Sequence, residues 1–299
     1  MAGITDEFSF ACGAVRRNGL GYVALANDTN ERTGQPTTSA AALSGGQWIS
    51  AATRPWPSVG VAIALRPVLE ASFVGPLGEV LLSGPSGTFD EQVGDAANVP
   101  AARGTIRTVR EVSGLLFVAG MDRQVYRRDH RNVWRCIDQS MRPENDQVIG
   151  FESIHGYSAE QLYAVGWEGE IWHYDGLRWH RVDSPTNHIL TCVECASDGW
   201  VYACGRFGTL LRGREDRWEM IRHASTELDL WSVCFFKGTL FVSTMRGVFA
   251  LKDNALEPVN FGADSPTTTY RLTCVSDLLW SIGAKDIFAF DGAVWSRLA

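Results

Sequence analysis

The chain has 299 residues, 45% of them hydrophobic and 20% charged, with 30 glycines and a net charge of −7. These proportions exclude a disordered or collagen-like polymer and leave ample apolar material for a large core. No run approaches the roughly 18 to 20 apolar residues that cross a bilayer as a helix, and the start MAGITDEFSF has acids where a secretory signal has basic residues, so a cytoplasmic protein without membrane contact is expected.

Taken from the N-terminus, the apolar segment FSFACGAV opens a first unit, the stretch 27–40 (NDTNERTGQPTTSA) interrupts its middle hairpin, and Trp48 centres its last strand. A second unit begins at VGVAIAL and carries Phe89 in the last-strand position; a third begins at TIRTVREV and carries Trp134. The clearest units follow, FESIHGY with QLYAVGWEGEIWHYDGLRWHRV, then ILTCVECA with WVYACGRFGTLLRGREDRWEMI, in which Ala164-Val165-Gly166 matches Ala203-Cys204-Gly205 and Gly169 matches Gly208. Two further units start at WSVCFF and YRLTCVS and place Leu256 and Trp295 in the same position.

The seven large apolar residues Trp48, Phe89, Trp134, Trp179, Trp218, Leu256 and Trp295 lie 41, 45, 45, 39, 38 and 39 residues apart. Unrelated strands would not keep a register of about 40 residues over a whole chain, and four strands per unit is the pattern of a propeller blade. The expected fold is therefore all-β, a single seven-bladed propeller over 1–299 with four-stranded antiparallel blades at about 1–53, 54–100, 101–146, 147–186, 187–226, 227–266 and 267–299. Six or eight blades remain the alternatives, the first blade being the weakest. The first strand of each unit should line a central channel, and the Trp strand should lie at the rim with its ring against the neighbouring blade. No strand exchange closing the ring is visible.

The turn Tyr174-Asp175-Gly176-x-x-Trp179, the following Ser-Pro-Thr and the Val-Tyr-Ala-x-Gly strand resemble bacterial propeller repeats of the sialidase-type (BNR, Asp-box), photosystem-assembly-factor-like and WD40/YVTN-like group. The resemblance covers residues 100–299 and implies blade geometry. It does not imply sialidase chemistry, because the Ser, Asp and Thr positions of the Asp-box hold Trp172, Tyr174 and Arg178.

Local motifs for chemistry are missing. There is no Gly-x-x-x-x-Gly-Lys loop, no His-Glu-x-x-His and no Gly-x-Ser-x-Gly, and Gly84-Pro85-Ser86-Gly87 falls at a hairpin turn. Cys192 and Cys195 form a Cys-x-x-Cys, but residues three apart on a strand point to opposite faces and cannot chelate one metal. Seven cysteines without a secretory context read as reduced thiols, three of which, Cys192, Cys234 and Cys274, recur near the repeat spacing. His155, His173, His180 and His188 would be spread over different strands and a loop. No cofactor and no metal are expected.

Charge is uneven, since residues 101–142 hold nine arginines against four acids, a local +5 that leaves about −12 for the rest. That split argues against a nucleic-acid coat and for a surface selecting an oppositely charged partner. Loops between second and third strands and between blades should share one face, which places Pro76-Leu77, Met121, Asp122, Arg123, Trp167, Glu168, Arg206, Phe207, Arg246, Lys285 and Asp286 around one rim, with 27–40, 137–149 and 259–268 beside them. Trp and Arg at turn tips point to a docked protein. The expected function is a non-enzymatic protein-binding scaffold, of the kind that would suit an immunity or inhibitor protein capping a toxin, a basic toxin domain fitting the acidic charge. The rivals are a propeller enzyme acting on carbohydrate or lactone at the channel mouth and a lectin-like sugar binder.

Overall fold

The computed structural model describes residues 4–142 and 148–299, and among them the chain forms seven sheets, each of four consecutive antiparallel strands. The first strands are Phe8–Arg17, Gly60–Ala64, Ile106–Val112, Phe151–Ser158, Leu190–Cys195, Ser232–Phe236 and Arg271–Val275. The last strands are Gln47–Arg54, Gly87–Gln92, Val133–Cys136, Trp179–Val182, Arg217–Met220, Ala255–Pro258 and Trp295–Arg297, and every one of the seven register residues lies on one of them. The architecture is thus the seven-bladed propeller expected from the period.

Burial explains why second strands are near-continuous apolar runs while last strands alternate. In Gln161–Gly166 the residues Leu162, Tyr163, Ala164 and Val165 are all fully buried, because a middle strand is covered on both faces by the neighbouring blades. In Val133–Cys136, Trp134 and Cys136 are buried while Val133 and Arg135 face solvent. The hydrophobic clusters accordingly lie between blades: Val74 and Leu82 of the second blade pack with Ile106, Leu116, Tyr126 and Trp134 of the third. The rim tryptophans reach back in the same way, Trp179 donating its indole N–H to the carbonyl of Ile137, 2.9 Å away.

Closure between the last and first blades uses side chains and single hydrogen bonds, with each sheet keeping its own strands. Trp280 and Ile282 of the seventh blade join Phe10, Val23 and Leu43 of the first in one cluster. The Trp280 ring occupies the place of a side chain at Gly21, where a Cβ would lie 2.1 Å from a ring carbon, so only glycine admits it. The Phe10 N–H donates to the Ala284 carbonyl at 2.8 Å. The Lys285 ammonium donates to the carbonyls of Thr5 and Phe8, each at 2.9 Å, and to the Asp28 carboxylate at 2.5 Å.

The stretch that interrupts the first blade contains a helical segment, Asp28–Arg32, before the third strand begins at Thr38. Asn27 caps it, its Oδ1 accepting the N–H groups of Thr29 and Asn30. The arginine-rich stretch is also resolved into structure. All nine arginines of residues 101–142 are ion-paired, most of them to acids in other strands or blades. Arg128 is the extreme case, buried with Glu70 and Glu91 of the second blade, while Glu91 also accepts the Trp134 indole N–H at 3.0 Å. Five of the nine, Arg107, Arg110, Arg123, Arg128 and Arg131, join the third blade to its neighbours, and the other four brace it internally.

Candidate partner-binding face

The turns between second and third strands in blades three, four and five have one construction. Gln124 N–H donates to Met121 O, Glu170 N–H to Trp167 O, and Thr209 N–H to Arg206 O. The two central residues of each turn have positive φ: Asp122 and Arg123, Glu168 and Gly169, Phe207 and Gly208. Those are the conditions of a type I′ turn, which favours Asn, Asp and Gly. The turns sit beside the lead-ins to the first strands, since Met121, Trp167 and Arg206 donate their N–H groups to Thr105, Gly150 and Ile189. The tips and the blade-to-blade connections therefore share one face.

Side chains on that face divide into those the fold uses and those it leaves out. Asp122 accepts from the Arg103 guanidinium at 2.7 Å, and Arg123 is held by Glu170 and lies over the Trp172 ring. Met121 is half-buried and bridges Gly150 through its backbone. The half-buried Trp167 folds back over its own blade, its indole N–H donating to Glu152 at 2.8 Å. Lys285 closes the ring as described, and the buried Asp286 accepts the Thr267 N–H at 2.6 Å. Pro76 accepts the Ile106 N–H through its carbonyl, next to an exposed Leu77. Of the 137–149 connection, residues 143–147 lie outside the described residues.

Glu168, Arg206, Phe207 and Arg246 remain in solvent. Phe207 is 66% exposed, touches the His188 ring edge-on at 5.0 Å, and has its backbone N–H fixed by the Asp229 carboxylate at 3.0 Å. Two further exposed apolar residues lie on this face, neither among the turn-tip residues expected from the sequence: Leu228, 42% exposed, whose carbonyl accepts the Gly208 N–H, and Met245, 46% exposed, at the tip of the sixth blade. A hydrophobic residue in a connection otherwise made of polar ones was the available signal for both. Around them Glu168, Asp183 and Glu227 supply exposed acids.

The channel holds a different arrangement. Arg110 of the third blade reaches Glu194 of the fifth at 2.6 Å, and His155 between them accepts the Cys195 N–H at Nδ1. The His155 ring lies 3.2 Å from Glu194, beside the Arg110–Glu194 pair. The cavity they border measures about 300 Å³ and is also lined by Cys234 and Cys274. Cys192 packs toward the sixth blade and Cys195 toward the fourth, on opposite faces of their strand. Among the described residues no group of three or more His, Cys, Asp or Glu side chains is placed to hold a metal ion, and no helix is long and apolar enough to cross a membrane.

No protein-family model matches the chain. Among curated proteins it is similar to the Immune protein Tsi7 of Pseudomonas aeruginosa, 43% identical over 301 aligned residues that cover 99% of this chain and 98% of that protein. Among solved structures, virginiamycin B lyase from Staphylococcus aureus superposes with a TM-score of 0.71 over 94% of both chains, and YCF48 from Cyanidioschyzon merolae with 0.67 over 95% of both. Each is 10% identical to this chain, so these likenesses concern the propeller architecture alone.

Proposed function

Because the chain belongs to the family of the Immune protein Tsi7, we propose that it is an immunity protein that neutralises a toxin by binding it through the loop face of blades four to six. The observation that carries the choice of face is Phe207, an exposed ring on a left-handed turn residue, with Leu228 beside its turn and an exposed Met245 at the tip of the sixth blade on the same face. Aromatic anchors of this kind dominate binding energies when a partner's pocket desolvates them, while the polar rim adds specificity and steering. The exposed Glu168, Asp183 and Glu227, together with arginines spent on internal ion pairs, favour a basic toxin surface.

The test is affinity for the toxin that the protein is proposed to neutralise, together with survival of cells expressing that toxin. Phe207→Ala and Met245→Ala should each weaken binding by about 30-fold, the scale of a hot-spot residue, and reduce protection. Trp167→Ala, whose ring is already engaged with Glu152, should change affinity much less. Association should slow steeply as salt rises. Unchanged affinity in both Phe207→Ala and Met245→Ala sinks this face as the docking surface, and a partner whose association is indifferent to salt sinks the basic-toxin reading.

A further inference from the structure

Cysteines 234 and 274 occupy equivalent positions on the first strands of the sixth and seventh blades, and the sequence alone gives them only a shared period. The structure pins the two strands in register. Ser232 Oγ accepts the Leu272 N–H at 3.1 Å, so two residues further along, on the same face of each strand, Cys234 and Cys274 meet. The fourth and fifth blades use the same device, Ser153 Oγ accepting the Val193 N–H and His155 accepting the Cys195 N–H two residues on. Where those blades have a histidine and a backbone amide, the sixth and seventh have two thiols.

The sulfurs are 2.8 Å apart, with the Cys234 thiol directed at the Cys274 sulfur. That is less than 1 Å beyond a covalent S–S bond of about 2.05 Å. Both residues line the channel cavity of about 300 Å³, which brings solvent and small solutes to them. Cys234 is buried, and the hydrogen bond to Cys274 together with burial holds its thiol protonated well above the usual range. Cys274 is half-buried and the less enclosed of the two, so an oxidant arriving through the channel meets it first.

We propose that Cys234 and Cys274 form a redox-active dithiol site at the channel wall, which low-molecular-weight disulfides of the glutathione type oxidise to an inter-blade disulfide. Cys274 attacks the small disulfide, giving a mixed disulfide and one free small thiol that takes the Cys274 proton. Cys234 then loses its proton as it attacks the Cys274 sulfur, and the second small thiol leaves. Two protein thiols are oxidised and one small disulfide is reduced to two thiols. The product joins residues 40 apart in sequence and makes the attachment of the last blade covalent on one side. This inference is independent of toxin binding.

The experiment incubates the purified full-length protein with oxidised glutathione and follows mass, peptide map and thermal midpoint. The expected result is loss of two hydrogens from the intact mass, a single cross-linked peptide pair containing Cys234 and Cys274, and a midpoint raised by about 5 °C, as closing a loop of this size predicts. Cys234→Ala should instead stop at a stable glutathione adduct on Cys274, and Cys274→Ser should give neither adduct nor cross-link at this pair. An unchanged wild-type mass, a wild-type protein that accumulates the adduct without cross-linking, or a bridge between other cysteines such as Cys192 and Cys204 overturns the proposal. The wild-type peptide map decides this even if a variant folds poorly.

Discussion

At position 207 the chain sets a phenylalanine at φ 55°, in a turn whose geometry suits Gly, Asn or Asp. The left-handed conformation costs a side-chain-bearing residue about 1–2 kcal/mol, and leaving most of the ring in water forgoes a burial worth about 1.5–3 kcal/mol. Neither cost is recovered in the fold, where the ring has only the edge of His188 against it. Strain and exposure at one residue are the pattern of a site kept for binding. Phe207→Gly separates the two roles: it should raise stability by about 1 kcal/mol by relieving the turn, measurable as a higher urea midpoint at unchanged slope, while toxin affinity falls as far as in Phe207→Ala. A destabilised Phe207→Gly protein would show that the ring supports the fold. The aromatic tips at 167 and 207 look alike in sequence and behave differently because they are not equivalent. Trp167 aligns with Arg206, ahead of the left-handed pair, and finds Glu152 on another strand, whereas Phe207 aligns with Glu168 inside the pair. No local pattern announces an acceptor fifteen residues upstream.

Elements show the same division between what spacing reveals and what only folding brings together. The blades were legible because a repeated strand pattern with a rim aromatic every 40 residues has few other physical explanations. The work of the arginines was not legible, since Arg128 meets Glu91 and Glu70 at separations of 37 and 58 residues. A patch of like charge in sequence is therefore divided in space, two of its arginines tying the third blade to the second and three tying it to the fourth and fifth. Arg128 is buried with both carboxylates, so removing Glu91 leaves the guanidinium with only the longer contact to Glu70, at 3.3 Å, and buried N–H groups without an acceptor. Glu91→Ala should cost about 3–5 kcal/mol, because it also strips acceptors from the Trp134 indole and the Asn132 N–H. Chemical denaturation with tryptophan fluorescence reads this. A loss below 1 kcal/mol would mean that Glu70 alone satisfies Arg128.

For the whole molecule the question is how a ring without strand exchange stays shut. Sheet hydrogen bonds hold each blade, but the seam between the last and first blades depends on the Trp280 cluster, the Phe10–Ala284 bond and the Lys285 ammonium with its three acceptors. The turn position of Lys285 in the sequence puts it among the rim residues, and it does stand at a tip, but its acceptors lie more than 250 residues away. Lys285→Met should therefore speed amide hydrogen exchange in Phe8–Arg17 and Arg271–Val275 by about tenfold while Gln161–Gly166 is unaffected. The seam also has a pH signature. The Lys285 hydrogen bond holds the Asp28 carboxyl below its ordinary range, so its contribution is full above the unfolded value of about 3.9 and is lost as pH falls below it toward the folded one. With the Asp28 and Lys285 side chains both partly exposed, solvent screening keeps that contribution under about 1 kcal/mol. Protection from exchange at the seam, taken relative to the intrinsic amide rate at each pH, should consequently fall between pH 4 and pH 3 while that of the middle blades holds, a difference that Asp28→Asn abolishes; a uniform fall in protection around the ring would place closure in the Trp280 cluster alone.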